Sequence, residues 1–155
     1  YKIQEGAGGI AEAIKLVYGF LEEGEKFIVV LGDNIFQDPL LNVRYDLESV
    51  DTVLTYKEVA DPERFGVVDY DKNMIVEKPK VAPSSHAVCG VYGYTFNTSF
   101  RESLEYITPS DRGELEVTDL NNDLMDDYVL IELEGWWTDA GTHESLKLAN
   151  ELIYG

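Results

Sequence analysis

Two aspartates stand where strand-like runs stop. Asp33 follows Val29-Val30-Leu31-Gly32, and Asp139 follows Trp136-Trp137-Thr138 and precedes Ala140-Gly141-Thr142. Carboxylates at strand ends face the crevice in which α/β folds hold ligands, and two of them can share one Mg²⁺ with substrate phosphates. The plainer alternative for each is an Asp that caps the next turn. A third element is Glu77-Lys78-Pro79. An ammonium beside a strand end and a proline-fixed bend can hold a phosphate, while Glu77 can accept hydrogen bonds from sugar hydroxyls. An ordinary ion pair at an exposed hairpin end is the alternative. The fourth element is Gln4 ahead of Gly6-Ala7-Gly8-Gly9 and a helix-like run. Glycines let a backbone approach a flat ligand, and the glutamine amide offers one donor and one acceptor to a pyrimidine edge. A flexible helix entry would look the same. The Gly-Lys-Ser/Thr ending of a P-loop is missing.

The elements that must position these groups alternate. Ile10, Ile14, Val17 and Leu21 share one face of a helix expected from Ile10 to Leu21, with Gly24 as its stop. Phe27 to Leu31 is a continuous apolar run, the pattern of a strand buried on both faces of a parallel sheet. Pro39 opens a helix toward Leu47, and Thr52 to Tyr56 is β-branched and strand-like. Val67–Tyr70 and Met74–Glu77 flank the polar turn Asp71-Lys72-Asn73, which reads as a β-hairpin. Ala87 to Phe96 is a long aromatic-rich strand, and Asn97 can cap a helix from Thr98 to Tyr106. Further expectations are a helix over Leu115–Met125, strands at Val129–Leu133 and Trp136–Asp139, and a last helix capped by Thr142. The fold class is therefore α/β, with a mixed sheet and an inserted β-hairpin, in a single domain over residues 1–155. Its ligand is expected at the C-terminal ends of the parallel strands.

Composition narrows the function. The chain has 155 residues, 45% of them hydrophobic, which suffices for one core and not for two. The 30 acidic residues outnumber 12 basic ones for a net charge of −18, so nucleic-acid phosphates would be repelled. No run approaches the ~20 apolar residues of a membrane span. The single cysteine, Cys89, excludes an internal disulfide framework and agrees with a reducing, cytoplasmic compartment. It lies in an apolar strand-like stretch, where a buried structural thiol is expected rather than a nucleophile.

Together the motifs are more specific than any one of them. Their order is Gln-x4-Gly-Ile-Ala-x-Ala, Leu-Gly-Asp-Asn-Ile-Phe from Leu31, Asp-Pro-Glu-Arg-Phe-Gly-Val-Val from Asp61, and Glu77-Lys78-Pro79. Gly-Val-Tyr-Gly-Tyr from Gly90, Arg-Gly-Glu-Leu-Glu-Val-Thr-Asp from Arg112 and Asp-Ala-Gly-Thr-His-Glu-Ser-Leu from Asp139 follow. This set resembles the glucose-1-phosphate thymidylyltransferases among the sugar-nucleotide pyrophosphorylases, from Gln4 to about Ile153. The resemblance implies a Rossmann-like nucleotidyltransferase domain. It implies that Gln4 and the Gly9 backbone read the base, and that Asp33 and Asp139 hold Mg²⁺ against the phosphates. The Gly66 amide, Glu77 and the Val88 backbone would hold glucose hydroxyls, Lys78 the sugar phosphate, and Trp137 would wall the pocket near the metal. The reaction implied joins dTTP and glucose 1-phosphate to give dTDP-glucose and pyrophosphate.

Departures from the family pattern set further expectations. Phe65 stands where many members carry tyrosine, and Ala140 where threonine is common. Members also begin with a strand, a Gly-rich signature with an arginine, and a Pro-Lys-Pro lysine, none of which occurs in this chain. It is therefore expected to behave as a truncated domain, with little or no transferase activity unless an N-terminal half complements it. A non-catalytic sugar-nucleotide-binding protein and an oligomeric remnant are the alternatives. Exposed sheet edges left by missing strands lead to an expected homo-oligomer.

Overall fold

The computed structural model describes residues 1–155. Its backbone runs through α1 (Ile10–Lys15), β1 (Lys26–Val30), β2 (Asn34–Phe36), α2 (Leu41–Asp46), β3 (Thr52–Glu58), β4 (Gly66–Asp69) and β5 (Met74–Glu77). It continues with β6 (His86–Thr95), α3 (Thr98–Tyr106), α4 (Val117–Asp123), β7 (Tyr128–Glu132), β8 (Trp137–Asp139) and α5 (His143–Tyr154). The main sheet has the order β5-β4-β6-β3-β7, with β1 also paired to β6; β2 and β8 form a separate two-stranded sheet. Only β3 and β7 run parallel, so the sheet is mixed, and β4 with β5 is the inserted hairpin.

The ten-residue strand β6 is the spine. Its C-terminal half pairs with β3 on one side and β1 on the other, Tyr94 facing Thr52 and Phe27 respectively. Its N-terminal end pairs with β4 at Val67–Ala87. Side chains alternate across a strand, and the two faces bury different clusters. Leu54, Tyr92 and Tyr94 pack with Ile14, Phe100, Leu104 and Leu120 from α1, α3 and α4. Val53 and Val91 face the other way, onto Val43 and Leu47 at α2. Helices thus cover both faces.

Three expectations need correction. Phe27–Leu31 is not a strand buried on both faces of a parallel pairing: β1 is antiparallel to β6, and Ile28 and Val30 are 40% and 48% exposed. An apolar run does not distinguish a central strand from one whose outer side is open, and β1 has no second neighbour. The first helix is α-helical only to Lys15 and tightens to a 3₁₀ turn over Leu16–Gly19, although Val17 and Leu21 still reach the core. The helix expected from Leu115 begins at Val117, because Leu115 lends its backbone to the glycine loop.

Local capping follows the sequence. Asn97 accepts from the Phe100 amide at 2.9 Å, and its own amide donates to Asp51 at 2.8 Å. Thr142 and Ser145 form a reciprocal capping box on α5. Asn97→Ala removes an N-cap and a tether to Asp51, just before β3; a loss of about 1–2 kcal/mol in urea unfolding is expected. An unchanged midpoint would mean that the cap does not contribute.

Candidate active site

The register of β6 makes the site. Beside its partner β3, β6 has strands β1 and β4 on one and the same side, the first pairing at Val91–Thr95 and the second at Ala87. The stretch between them, Val88 to Gly90, borders a cavity of about 220 Å³. The ladder to β3 is also irregular here, stepping from Leu54–Tyr92 to Tyr56–Val88. Gly90 accepts from the Leu31 amide at 2.8 Å and donates to the Asn34 side chain at 2.8 Å. A Cβ at Gly90 would come within 2.6 Å of that side chain, so glycine permits the close approach. The cavity therefore lies over the middle of β6, and not at the C-terminal ends of the parallel pair β3 and β7, where it was expected.

One wall is acidic. Pairing of β2 with β8 sets Asn34 opposite Asp139, and the Ala140 amide donates to the Asp33 carbonyl at 2.6 Å. The Asp33 and Asp139 carboxylates then converge: Oδ2 of each lies within 3.6 Å of the point that a Cβ on Gly141 would occupy. Two hard oxygen donors with space between them suit Mg²⁺, which usually takes one or two carboxylates and completes its shell with water and phosphate. No cluster of three His, Cys, Asp or Glu residues offers an all-protein cage. Asn34 orders this wall, donating to Asp33 Oδ1 at 2.9 Å and accepting from Trp137 Nε1 at 2.8 Å. Trp137 meets Phe65 edge to face, with ring centroids 5.2 Å apart.

The opposite wall carries Glu77 and Lys78. Glu77 ends β5 opposite Gly66, and its Oε2 accepts from the buried Thr118 hydroxyl of α4. A methyl group on Gly66 would lie 3.3–3.4 Å from both partners of that bond, so glycine leaves the pair uncrowded. Glu77 Oε1 lies 3.8 Å from the Lys78 ammonium and 3.7 Å from the Arg112 guanidinium. Lys78 has φ 42°, a left-handed backbone held by its amide's 2.9 Å bond to the Phe65 carbonyl. Such a conformation costs a non-glycine residue about 1–2 kcal/mol, and strain of this kind gathers at functional positions. Tyr92 forms part of the floor. Burial pushes its phenol up, with Glu77, Cys89 and Asp33 adding to the shift, so it stays neutral.

Seven of the nine candidate residues line this one cavity: Asp33, Gly66, Glu77, Lys78, Val88, Trp137 and Asp139. Gln4 and Gly9 do not. The Gln4 amide donates to the Gly9 carbonyl at 3.2 Å and to Glu12 at 2.6 Å, closing on its own loop. Gly9 has φ 95°, and a Cβ there would run into the Leu115 backbone. The loop is pinned, with Leu115 donating to Gly8 at 2.8 Å and Ala11 to Leu115 at 3.2 Å, rather than a flexible entry. It abuts the cavity through Ile10.

A family model for nucleotidyl transferases matches residues 1–154. The chain belongs to that family. It is 36% identical to a glucose-1-phosphate thymidylyltransferase of Neisseria meningitidis, covering 99% of this chain and 56% of that protein. It is 33% identical to a low-salt glycan biosynthesis nucleotidyltransferase of Haloferax volcanii, over 99% of this chain and 44% of the other. Among solved structures, a protein described as a glucose-1-phosphate thymidylyltransferase from Bacillus anthracis, crystallised with sucrose, superposes with a TM-score of 0.87. It is 40% identical, with 98% of this chain and 63% of that one covered. The chain thus spans about half the length of the curated relatives it matches. The architecture is the Rossmann-like nucleotidyl transferase fold.

Four cavity-side residues of this nucleotidyl transferase chain carried no assignment from sequence: Asn34, Arg64, Arg112 and Thr118. Each lies inside a quoted motif, so the signal was present. Missing was the knowledge that Asn34 bridges three elements and that Thr118 and Arg112 reach Glu77. Cys89 is fully buried, and burial holds its thiol far above the ordinary range, which fits a structural role. Native protein is expected to leave Cys89 unmodified by a thiol reagent at about pH 8, with one thiol released on denaturation. Rapid native labelling would contradict that role. Lys78→Gly is expected to be about 1 kcal/mol more stable than Lys78→Ala, since glycine relieves the positive φ. Equal urea midpoints would mean that the backbone there is unstrained.

Proposed function

We propose that this chain forms the hexose-phosphate and metal side of a thymidylyl transfer, in which dTTP and glucose 1-phosphate give dTDP-glucose and pyrophosphate. The observation that carries the reading is one cavity with a converging carboxylate pair, Asp33 and Asp139, on one wall and Glu77 with Lys78 on the other. The similarity to thymidylyltransferases supports the substrate pair. A cavity of about 220 Å³ suits a single sugar ring better than a whole nucleotide sugar, since drug-sized ligands occupy roughly 300–1,000 Å³. The nucleotide would extend from it toward the Gln4–Gly9 loop.

In the proposed chemistry a phosphate oxygen of glucose 1-phosphate attacks the α-phosphorus of dTTP in line. The new P–O bond forms as the bond to pyrophosphate breaks, and no proton has to move because the attacking oxygen is already anionic. Such transfers depend on positioning and charge neutralisation more than on acid–base groups. Lys78 would hold the attacking phosphate, with Arg112 close enough through Glu77 to share the charge. Glu77, fixed by Thr118, would accept from sugar hydroxyls, and the Gly66 and Val88 backbones would complete the ring's contacts. Asp33 and Asp139 would hold Mg²⁺, which supplies charge neutralisation to the phosphates when bound. Gln4 would have to turn its amide from Glu12 toward the base.

Calorimetric titration with dTDP-glucose in Mg²⁺ tests the binding half of this proposal, with UDP-glucose and dTDP as comparators. Lys78→Ala is expected to weaken binding by about tenfold or more, as loss of a charge-assisted contact does, and Gln4→Ala to weaken all three ligands, whose bases share one edge. Folded protein that binds none of the three ligands would overturn it. The 155-residue chain alone is expected to turn over little, and product formation well above a metal-free control would refute that part.

A further inference from the structure

Arg64 is the residue near the carboxylate pair that the transfer chemistry above leaves without a task. It ends a short 3₁₀ turn, Pro62–Arg64, at the cavity mouth. Its Nη2 lies 3.1 Å from both carboxylate oxygens of Asp139. Asp139 is only 20% exposed and faces Asp33 across the Gly141 position. Without a cation nearby, two carboxylates so placed repel each other. The guanidinium covers the oxygens through which Asp139 would otherwise ligate a metal.

The same arginine has a second seat. Nη1 donates to Asp61 at 2.9 Å, and the guanidinium lies 5.0 Å from the centre of the Phe65 ring, over its face. At 44% exposure it can leave Asp139 and remain on Asp61 and Phe65. Release therefore breaks one of two ion pairs and opens no buried gap.

We propose that Arg64 is the resident counter-ion of Asp139 in the metal-free site, and that a divalent cation binds there by displacing it. This rests on the proposed role of Asp33 and Asp139 as metal ligands. The exchange keeps a cation against Asp139 in both states, one positive charge without metal and two with it. It also leaves a freed guanidinium at the rim where an anionic substrate enters. Arg64 acts in this way as a positioning residue for the metal site.

Mn²⁺ binding to the isolated chain, counted from the loss of the free-ion EPR signal, tests this without any turnover. Arg64→Gln removes the competing cation, so its Mn²⁺ affinity should rise by roughly two- to fivefold, the worth of a partly exposed ion pair. If Arg64 merely oriented Asp139, affinity would fall instead. Arg44→Gln, on α2 and away from the cavity, makes the same change in net charge and should leave affinity unaltered; an equal gain would overturn the proposal by assigning the effect to overall charge. Mn²⁺ binding that Asp139→Asn abolishes but Arg64→Gln leaves unchanged would refute the exchange and spare the metal site. No Asp139-dependent binding in either protein would remove both.

Discussion

The structure depends on how three strands share β6. A strand has two edges, and one edge of β6 is occupied along most of its length by β3. The other is divided, with β1 pairing at one end and β4 at the other. Because backbone donors and acceptors left unpaired in a protein interior are costly, a break in pairing persists only where something else uses those groups. Around Gly90 that something is Leu31 and the Asn34 side chain. The cavity is thus a consequence of strand lengths and register: β1 and β4 are set on β6 directly, β5 through β4, and the β2–β8 pair is tied to β6 by the bond between Asn34 and Gly90. Residues following β1 and residues of β2, β4, β5, β8 and α4 therefore meet there.

Electrostatics within the cavity run against those of the molecule. A chain of net charge −18 sets Arg64 and Lys78 in one cavity and brings Arg112 to Glu77 beside it, each already paired with a carboxylate. These pairs are partly exposed and worth little in stability. Their value lies in arrangement, since a cation already held near its partner loses less freedom when a phosphate arrives. Glu77 shows the economy of the design: one oxygen is fixed by Thr118, and the other faces both Lys78 and Arg112.

Local features were legible from sequence where a local cause sets them. The Asn97 cap, the hairpin around Asp71–Asn73, the Thr142 helix start and the strand-end aspartates all follow from short-range chemistry. What depended on partner strands was not. Phe27–Val30 looked like a central strand, because hydrophobicity records apolar contact without saying how many neighbours the ladder has. The cavity's position could not be read, since it follows from the offset between β1 and β4 along β6. Gln4 illustrates the same limit in the site. Its amide has the donor and acceptor for a base, yet the nearby Glu12 and Gly9 satisfy the donor first. Arg64 was hidden by its motif, where Asp61 three residues earlier was the obvious partner and Asp139 became visible only through the β2–β8 pairing.

The clamp between the glycine loop and Leu115 has a mechanical consequence. Leu115 both donates to Gly8 and accepts from Ala11, and it lies just beyond the loop that carries Arg112. Neither segment can shift far without breaking bonds that the other shares. In hydrogen-exchange terms, the amides of Ala11 and Leu115 are expected to share one opening event rather than two. Two loops far apart in sequence are geared together, so ordering one side of the cavity lowers the entropy still to be lost by the other.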